Sequence, residues 1–135
     1  MGEHFLHQRV AEELRHHPPF SDLEGGALLL LSENIEILYL HSKQLLFSSG
    51  EPLHDRIYFV SKGSMELWRE DVLIDLVEPG EMLGLRALFE EGVYKAGAHA
   101  DAKKDVLLYA LPIALVQELL VRNPNTEHFF QLDWK

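Results

Sequence analysis

The fold is decided by residues 47–67, which read FSSGEPLHDRIYFVSKGSMEL. Within this stretch, an apolar run at 57–60 and an alternating apolar and polar run from residue 64 onward flank the dipeptide Lys62-Gly63. Short runs of this kind, bounded by turn residues, are typical of β-strands, and glycine accepts the positive φ that a tight hairpin turn requires. The stretch therefore predicts two antiparallel strands joined by a hairpin turn.

The same pattern continues on both sides of this hairpin. After Asn34, turn-forming residues punctuate short apolar runs about every ten residues, which is the spacing of an antiparallel sandwich or barrel. Glu70-Asp71 is predicted as a second tight turn, without the strong preference for positive φ that Gly63 has, and 49–52 and 78–81 as wider corners. The seven predicted strands are 35–41, 44–48, 56–61, 64–69, 72–77, 96–102 and 106–111.

Two helices are predicted before the strands. In residues 3–17 apolar side chains recur every four positions, as an amphipathic helix requires, until two histidines and two prolines end the pattern. A short second helix is predicted to follow, because Ser21 and Glu24 form a capping-box pattern behind Phe20. The apolar stripe of the first helix consists of Leu6, Val10 and Leu14.

A helix is also predicted after the strands, beginning at Pro112, which suits a first helical position. This helix has more apolar residues than one buried stripe needs, which favours a homodimer through its extra face. The alternative, that the first helix and the aromatic residues Phe129, Phe130 and Trp134 cover this face, stays open. The prediction is one domain, residues 1–135, with helices at 3–31, a β-region at 35–111 and C-terminal helices at 112–132.

Composition excludes several classes of protein. The chain has 135 residues, 47% of them hydrophobic, which suffices for a core in one domain. Its formal net charge of -10 would repel phosphate backbones, so a nucleic-acid partner is disfavoured. Without cysteine it has neither disulfides nor Cys-based zinc sites, which suits the cytoplasm. No window approaches the roughly 18 apolar residues of a membrane-spanning helix, so no membrane partner is expected.

A second group of motifs narrows the prediction from antiparallel β-structure in general to one kind of fold. The string at 47–51, the Tyr-Phe strand that follows it, and residues 79–84, PGEMLG, resemble the ordered glycines and turns of the cyclic-nucleotide-binding family. The resemblance covers residues 20–122 and implies a mainly β fold with flanking helices, an antiparallel β-roll or jelly roll (double-stranded β-helix). Residues 88–92 also look like the matching stretch of the catabolite activator protein. That protein's helix-turn-helix has no counterpart here, so a transcription factor is disfavoured.

The ends of the chain carry a further resemblance. Residues 17–20, HPPF, and the pair Phe129-Phe130 are similar to the N-terminal modules of bacterial signal-transduction proteins. In those proteins, CBS domains and a nucleotidyltransferase-like domain follow. The resemblance implies that such domains are attached in a longer protein.

The family resemblance also implies a pocket for a cyclic phosphate. In the family, backbone N–H groups at the start of a short helix hold the phosphate, an Arg neutralises it, and a Glu accepts a hydrogen bond from the ribose hydroxyl. In this chain Leu85 stands at the Glu position, and the Arg position falls at Tyr94 or Lys95, so both contacts are degenerate. The N–H groups would come from Arg86, Ala87 and Leu88. The candidate ligand-binding residues are Gly84, Leu85, Arg86, Ala87, Leu88, Tyr94, Lys95 and Ala96.

These observations favour a regulatory module of the cyclic-nucleotide-binding fold over an enzyme, with no certain cofactor and at most weak binding of cAMP or cGMP. A genuine cyclic nucleotide sensor is the alternative. A cupin-type β-barrel enzyme is a distant one, because the eight histidines include no His-x-His pair and no metal site is predicted. His54 is expected at the surface or in a wall, and Asp75 on the solvent face of its strand.

Overall fold

The computed structural model, which describes residues 2–131, contains eight short β-strands. They form two four-stranded sheets, mainly antiparallel, with the strand orders β1-β8-β3-β6 and β2-β7-β4-β5. The predicted fold class is confirmed. The strands are β1 (Glu36–Leu40), β2 (Leu45–Phe47), β3 (Arg56–Lys62), β4 (Met65–Arg69), β5 (Val72–Val77), β6 (Met82–Leu83), β7 (Gly97–Ala100) and β8 (Val106–Pro112).

The chain divides into two compact units. Among the described residues, one unit combines 2–35 with 111–131, and the other spans 36–110. In the second unit, side chains from both sheets form one apolar cluster that includes Val60, Met65 and Leu108, all fully buried. Strand β3 is buried on both of its faces, which explains why its centre is a continuous apolar run.

Both predicted hairpin turns are present. Gly63 has a φ of 80° between β3 and β4, and Glu70 and Asp71 have φ values of 48° and 66° between β4 and β5. Glu70 and Asp71 adopt positive φ although neither has the preference of glycine for it, as the two central residues of a type I′ hairpin turn must. Strand β6, only two residues long, was not predicted because it is too short to show any periodicity.

Strand β5 lies at an edge of its sheet. Five of its six residues are exposed, and four of these are aliphatic. A register shift in the pairing of β4 with β5 makes Leu67 face Asp75 while Trp68 faces Leu73, so Ile74 is an extra residue on β5. The exposed aliphatic residues are Val72, Leu73, Ile74 and Leu76.

The other unit is helical. Val10, Ala11 and Leu14 are buried, whereas Leu6, predicted in the same stripe, is 45% exposed. Leu6 lies on the first turns of its helix, where it contributes to an exposed apolar surface with Phe5. The helical segments of this unit are α1 (Gly2–Arg15), a 3₁₀ turn (Phe20–Asp22), α2 (Gly25–Glu33), and, after β8, a short α-helical turn (Ile113–Leu115), a π-helical turn (Val116–Val121) and a 3₁₀ segment (Pro124–Gln131).

The predicted capping box is wrong. Helix α2 begins at Gly25 with Glu24 as its N-cap, and no side chain caps it. Leu23 and Glu24 are extended, with ψ of 145° and 160°, so a helix cannot run on from Ser21. Pro112 likewise ends β8 in an extended conformation and caps the following turn instead of starting it. Residue 132 of the predicted C-terminal helices, and Trp134, lie outside the described residues.

Candidate functional site

A cavity of about 190 Å³ opens in the second unit between β4, β5 and the segment that leads from β6 to β7. Its volume is below the roughly 300–1,000 Å³ of a typical small-molecule site. Six of the eight candidate residues line it, and Leu85 and Leu88 do not. The lining residues are Phe47, Leu67, Arg69, Ile74, Asp75, Gly84, Arg86, Ala87, Tyr94, Lys95 and Ala96.

Gly84 sets the start of the short helix α3 (Leu85–Phe89) at one wall of the cavity. Its φ is 101°, and a Cβ there would lie 3.3 Å from Cδ1 of Ile57, so glycine suits both the backbone and the space. The Leu88 N–H donates to the Gly84 carbonyl at 3.1 Å. The expectation that Leu88 offers its N–H to a ligand is therefore wrong, because the helix itself already uses that group.

The resemblance offered two residues, Tyr94 and Lys95, for the position of the arginine. Of these, Tyr94 is the buried one. Its side chain is 3% exposed and stacks on Phe47, with ring centroids 3.6 Å apart. The His54 backbone N–H donates to its hydroxyl at 3.0 Å. Burial raises the pKa of Tyr94 to about 12, so the side chain is neutral at physiological pH. Of the two residues offered for the arginine, the buried one is therefore a neutral aromatic ring, and the cationic one, Lys95, also lines the cavity.

A polar cluster that the sequence did not reveal lies beside Tyr94. His54 Nε2 donates to Glu51 at 2.5 Å and, in that tautomer, the Tyr58 hydroxyl donates to Nδ1 at 2.7 Å. The Ser48 N–H and His54 together hold the pKa of Glu51 below its usual range. Since the Glu51 carbonyl also accepts from the Tyr94 N–H at 3.0 Å, the cluster fastens this loop to the segment that carries Tyr94.

Three cationic side chains border the cavity. Lys95 Nζ lies 2.8 Å from a Glu91 oxygen, and Arg86 Nε lies 3.3 Å from a Glu90 oxygen. The Arg86 side chain is half-exposed and also lines the cavity. Arg69 Nε donates to the Lys95 carbonyl at 3.1 Å.

Asp75 also lines the cavity, although it was predicted on the solvent face. It is exposed, but it lies opposite buried Leu67 across the β4–β5 pair, on the cavity side of the sheet. The extra residue Ile74 reverses the alternation of β5 at this point, which the sequence pattern could not show.

Within residues 2–131, no three or more His, Asp and Glu side chains are grouped so that they could hold a metal ion. None of the helices in that range has both the length and the apolar character needed to cross a membrane.

Comparison with known proteins bears on this geometry. The family model described as "Cyclic nucleotide-binding domain" matches residues 37–123. The chain is 26% identical over 114 residues to the voltage-gated delayed rectifier potassium channel KCNH8 of Mus musculus, covering 84% of this chain and 10% of the channel. It is 27% identical over 111 residues to the global nitrogen regulator of Synechococcus elongatus, covering 78% of this chain and 47% of the regulator.

Among solved structures, the regulatory subunit of a cAMP-independent protein kinase A from Trypanosoma brucei superposes with a TM-score of 0.78. Its sequence identity is 15%, and the match covers 87% of this chain and 43% of that subunit. The likeness therefore concerns the fold. The chain spans about a tenth of the channel and less than half of the other two relatives.

Proposed function

The chain belongs to the cyclic nucleotide-binding domain family, and from this membership we propose that it is a regulatory module rather than an enzyme. We further propose that its pocket is degenerate towards cyclic nucleotides. The observation that carries this proposal is Tyr94, a neutral aromatic ring buried against Phe47 at one of the two positions that the resemblance offers for the arginine. The other position is Lys95, a point charge that lacks the two-pronged fork of an arginine.

Leu85 supports the same proposal. Its side chain is buried, and it cannot accept a hydrogen bond from a sugar hydroxyl at the position that the resemblance gives to the ribose-binding Glu. A charge-assisted hydrogen bond is worth about 1.5–3 kcal/mol, so the loss of two such contacts weakens binding on the order of a hundredfold or more. Cyclic AMP and cyclic GMP are therefore expected to bind weakly or not at all.

Isothermal titration calorimetry with cAMP, cGMP and AMP tests this proposal. The expected result is no submicromolar affinity, and a submicromolar Kd for cAMP would contradict it. A double variant, Leu85→Glu with Lys95→Arg, leaves the Tyr94 ring in place and is expected to tighten any residual binding of cAMP. The matched control, Leu45→Glu with Lys103→Arg, makes the same changes at exposed residues away from the cavity lining and is expected to change nothing.

A genuine sensor of cyclic nucleotides is the second candidate, and one observation favours it. Arg86 and Lys95 both line the cavity, and either could neutralise a phosphate from the surface side. The same titration separates the two candidates, since a sensor binds a cyclic nucleotide tightly without any substitution.

For the output, we propose that the module acts in the cytoplasm on an attached or partner domain. The resemblance of residues 17–20 and 129–130 supports CBS and nucleotidyltransferase-like domains as candidates. Changes in the pocket would reach such a domain as a shift in the population of two states of the module.

We also propose a homodimer through the segment after β8. Leu115, Leu119 and Val121 of this segment are only half-buried, which supports an apolar surface available to a second copy. Sedimentation equilibrium across a range of concentrations is expected to show a dimer for the wild type and a monomer for Leu119→Glu. A wild-type protein that stays monomeric at high concentration would contradict this proposal.

A further inference from the structure

The sheet β2-β7-β4-β5 has a second face, opposite the cavity. Residues that pair across neighbouring strands lie on the same face of a sheet, so the register shows which side chains belong to each face. Leu67 and Asp75 pair on the cavity side, and the residues on either side of this pair belong to the other face. This surface, the outer face, consists of Leu45 on β2, His99 on β7, Glu66 and Trp68 on β4, and Leu73 and Leu76 on β5.

Most of the outer face is apolar and open to solvent. Leu45 is 55% exposed, and Leu73 and Leu76 are 44% and 40% exposed. Trp68 is half-buried beside them and stacks on the His99 ring, with ring centroids 5.8 Å apart. Exposed apolar surfaces of this kind mark protein–protein interfaces, and tryptophan is enriched there.

One carboxylate lies among these apolar side chains. The Glu66 side chain is 14% exposed, and its Oε1 accepts a hydrogen bond from Trp68 Nε1 at 2.9 Å. His99 Nδ1 lies 3.8 Å from the same oxygen. Among the described residues nothing donates to the other oxygen, Oε2, and no fully buried side-chain oxygen there lacks a partner, so Oε2 is open to solvent. A carboxylate with one oxygen held and the other open is a preorganised acceptor for a cation.

The charge of the surroundings favours a cationic partner. The β4–β5 hairpin, residues 64–78, has five carboxylates and one arginine, and this arginine, Arg69, lines the cavity on the opposite face. None of the six residues of the outer face is a lysine or an arginine. In a symmetric dimer, a second copy would bring another Glu66 and another net charge of -10 against this surface, and like charges disfavour that pairing.

We propose that the outer face binds a segment of a partner protein in which an arginine is flanked by apolar side chains. The guanidinium matches the open oxygen of Glu66 and can lie against the Trp68 ring at the same time, whereas a lysine ammonium is a point charge. The apolar neighbours of the arginine cover Leu45, Leu73 and Leu76 and exclude water from the ion pair. The inference goes beyond the proposed function, because the outer face shares no residue with the cavity lining.

The test uses the full chain and a seven-residue peptide, Gly-Leu-Ser-Arg-Ser-Leu-Gly, blocked at both ends. In an extended peptide alternate side chains share a face, so the arginine and the two leucines lie together. One control peptide has glutamate in place of the arginine. The other has serine in place of both leucines and measures the general attraction of a cation to an acidic protein.

NMR titration at matched ionic strength gives the Kd of each peptide. The indole N–H signal of Trp68 reports on the site directly, because this group donates to Glu66, and the variant Trp134→Phe distinguishes it from the signal of the other tryptophan. The first peptide is expected to shift this signal and to bind about tenfold or more tightly than either control peptide, since only it supplies both the charge-assisted contact and the apolar cover.

Two matched pairs of variants locate the binding. Glu66→Gln keeps an acceptor for Trp68 but removes the charge, and it is expected to weaken binding by about tenfold or more. Glu36→Gln makes the same change at an exposed residue of the other sheet and is expected to leave the Kd within about twofold. Leu76→Ala is expected to weaken binding by about threefold or more, whereas Val72→Ala, an exposed residue of β5 that pairs with Arg69 on the cavity side, is expected to have no effect.

Three results would overturn the inference: equal binding of the three peptides, equal effects within either pair of variants, and no binding of the first peptide at millimolar concentration. A dimer in sedimentation that Leu76→Ala dissociates would also overturn it, because a second copy would then occupy the outer face. The cAMP titration is independent of all these outcomes, since it reports on the opposite face of the sheet.

Discussion

At the scale of single residues, two glycines share a backbone conformation but differ in the space around them. Gly50 and Gly63 have φ values of 86° and 80°, in the region that L side chains rarely adopt. A Cβ on Gly63 would lie 2.7 Å from the Asp105 carbonyl oxygen, whereas a Cβ on Gly50 would meet nothing within 4 Å. Position 63 is therefore constrained by space as well as by its backbone.

This difference predicts unequal costs of the same substitution. Gly50→Ala carries only the strain of the left-handed backbone and is expected to lower the free energy of unfolding by about 1–2 kcal/mol. Gly63→Ala adds a clash with backbone and is expected to cost clearly more. Urea unfolding of both variants measures the difference. Equal costs would mean that β8 moves away from the turn without penalty.

At the scale of elements, most of the strands are predicted by the alternation of apolar and polar residues between turns. Strand β5 was predicted with its observed bounds, because a turn limits it on each side. The bulge inside β5 could not be predicted from the sequence, because it depends on the pairing of β5 with β4. The position of Asp75 at the cavity was missed for this reason. Arg69 and Phe47 were missed for the same reason: they reach the cavity from strands whose neighbours are set by distant parts of the chain. The glycine turn at Gly84 is local, so the residues near it were found.

Helix α1 allows a test of how burial determines the contribution of a residue to stability. Leu14 is fully buried and Leu6 is 45% exposed, although both belong to the stripe that the sequence predicts. Leu14→Ala is expected to lower the free energy of unfolding by about 2–5 kcal/mol, as for a cavity left in a core. Leu6→Ala, an exposed substitution, is expected to stay within about 0.5 kcal/mol. Unfolding in guanidinium chloride measures both losses of stability, and similar losses for the two variants would contradict the observed burial.

At the scale of the whole molecule, several carboxylates titrate below their usual range. The Tyr39 hydroxyl and the Ser42 N–H lower the pKa of Asp105, and the Lys103 N–H and the Ser64 hydroxyl act in the same direction on Asp101. A pKa that is lower in the folded state means that the unfolded chain binds protons first as the pH falls. These groups therefore stabilise the fold above their ordinary pKa of 3.8, and this contribution is lost as the pH falls through that value and below it.

The expected outcome is a urea midpoint that declines in acid, with a shallower decline for Asp105→Asn than for the wild type. Asp55→Asn is the matched control, because the Asp55 side chain is 89% exposed and lies outside these contacts. The midpoint of each protein is measured from neutral pH down to pH values below the ordinary pKa of Asp. An acid slope for Asp105→Asn that equals that of the wild type would argue against this role for Asp105.

The exposed edge of β5 also has a consequence for how the protein behaves in concentrated solution. Four aliphatic side chains on an edge strand form a template on which another strand can align, and edges of this kind are usually blunted by lysine or proline. In β5 the bulge at Ile74 and the exposed Asp75 blunt the edge in part, and the net charge of -10 adds to this protection because it keeps whole molecules apart. This repulsion acts through space and is screened by salt over about 10 Å at 0.1 M ionic strength. A high-salt storage solution is thus expected to weaken the repulsion that helps to keep these edges from meeting.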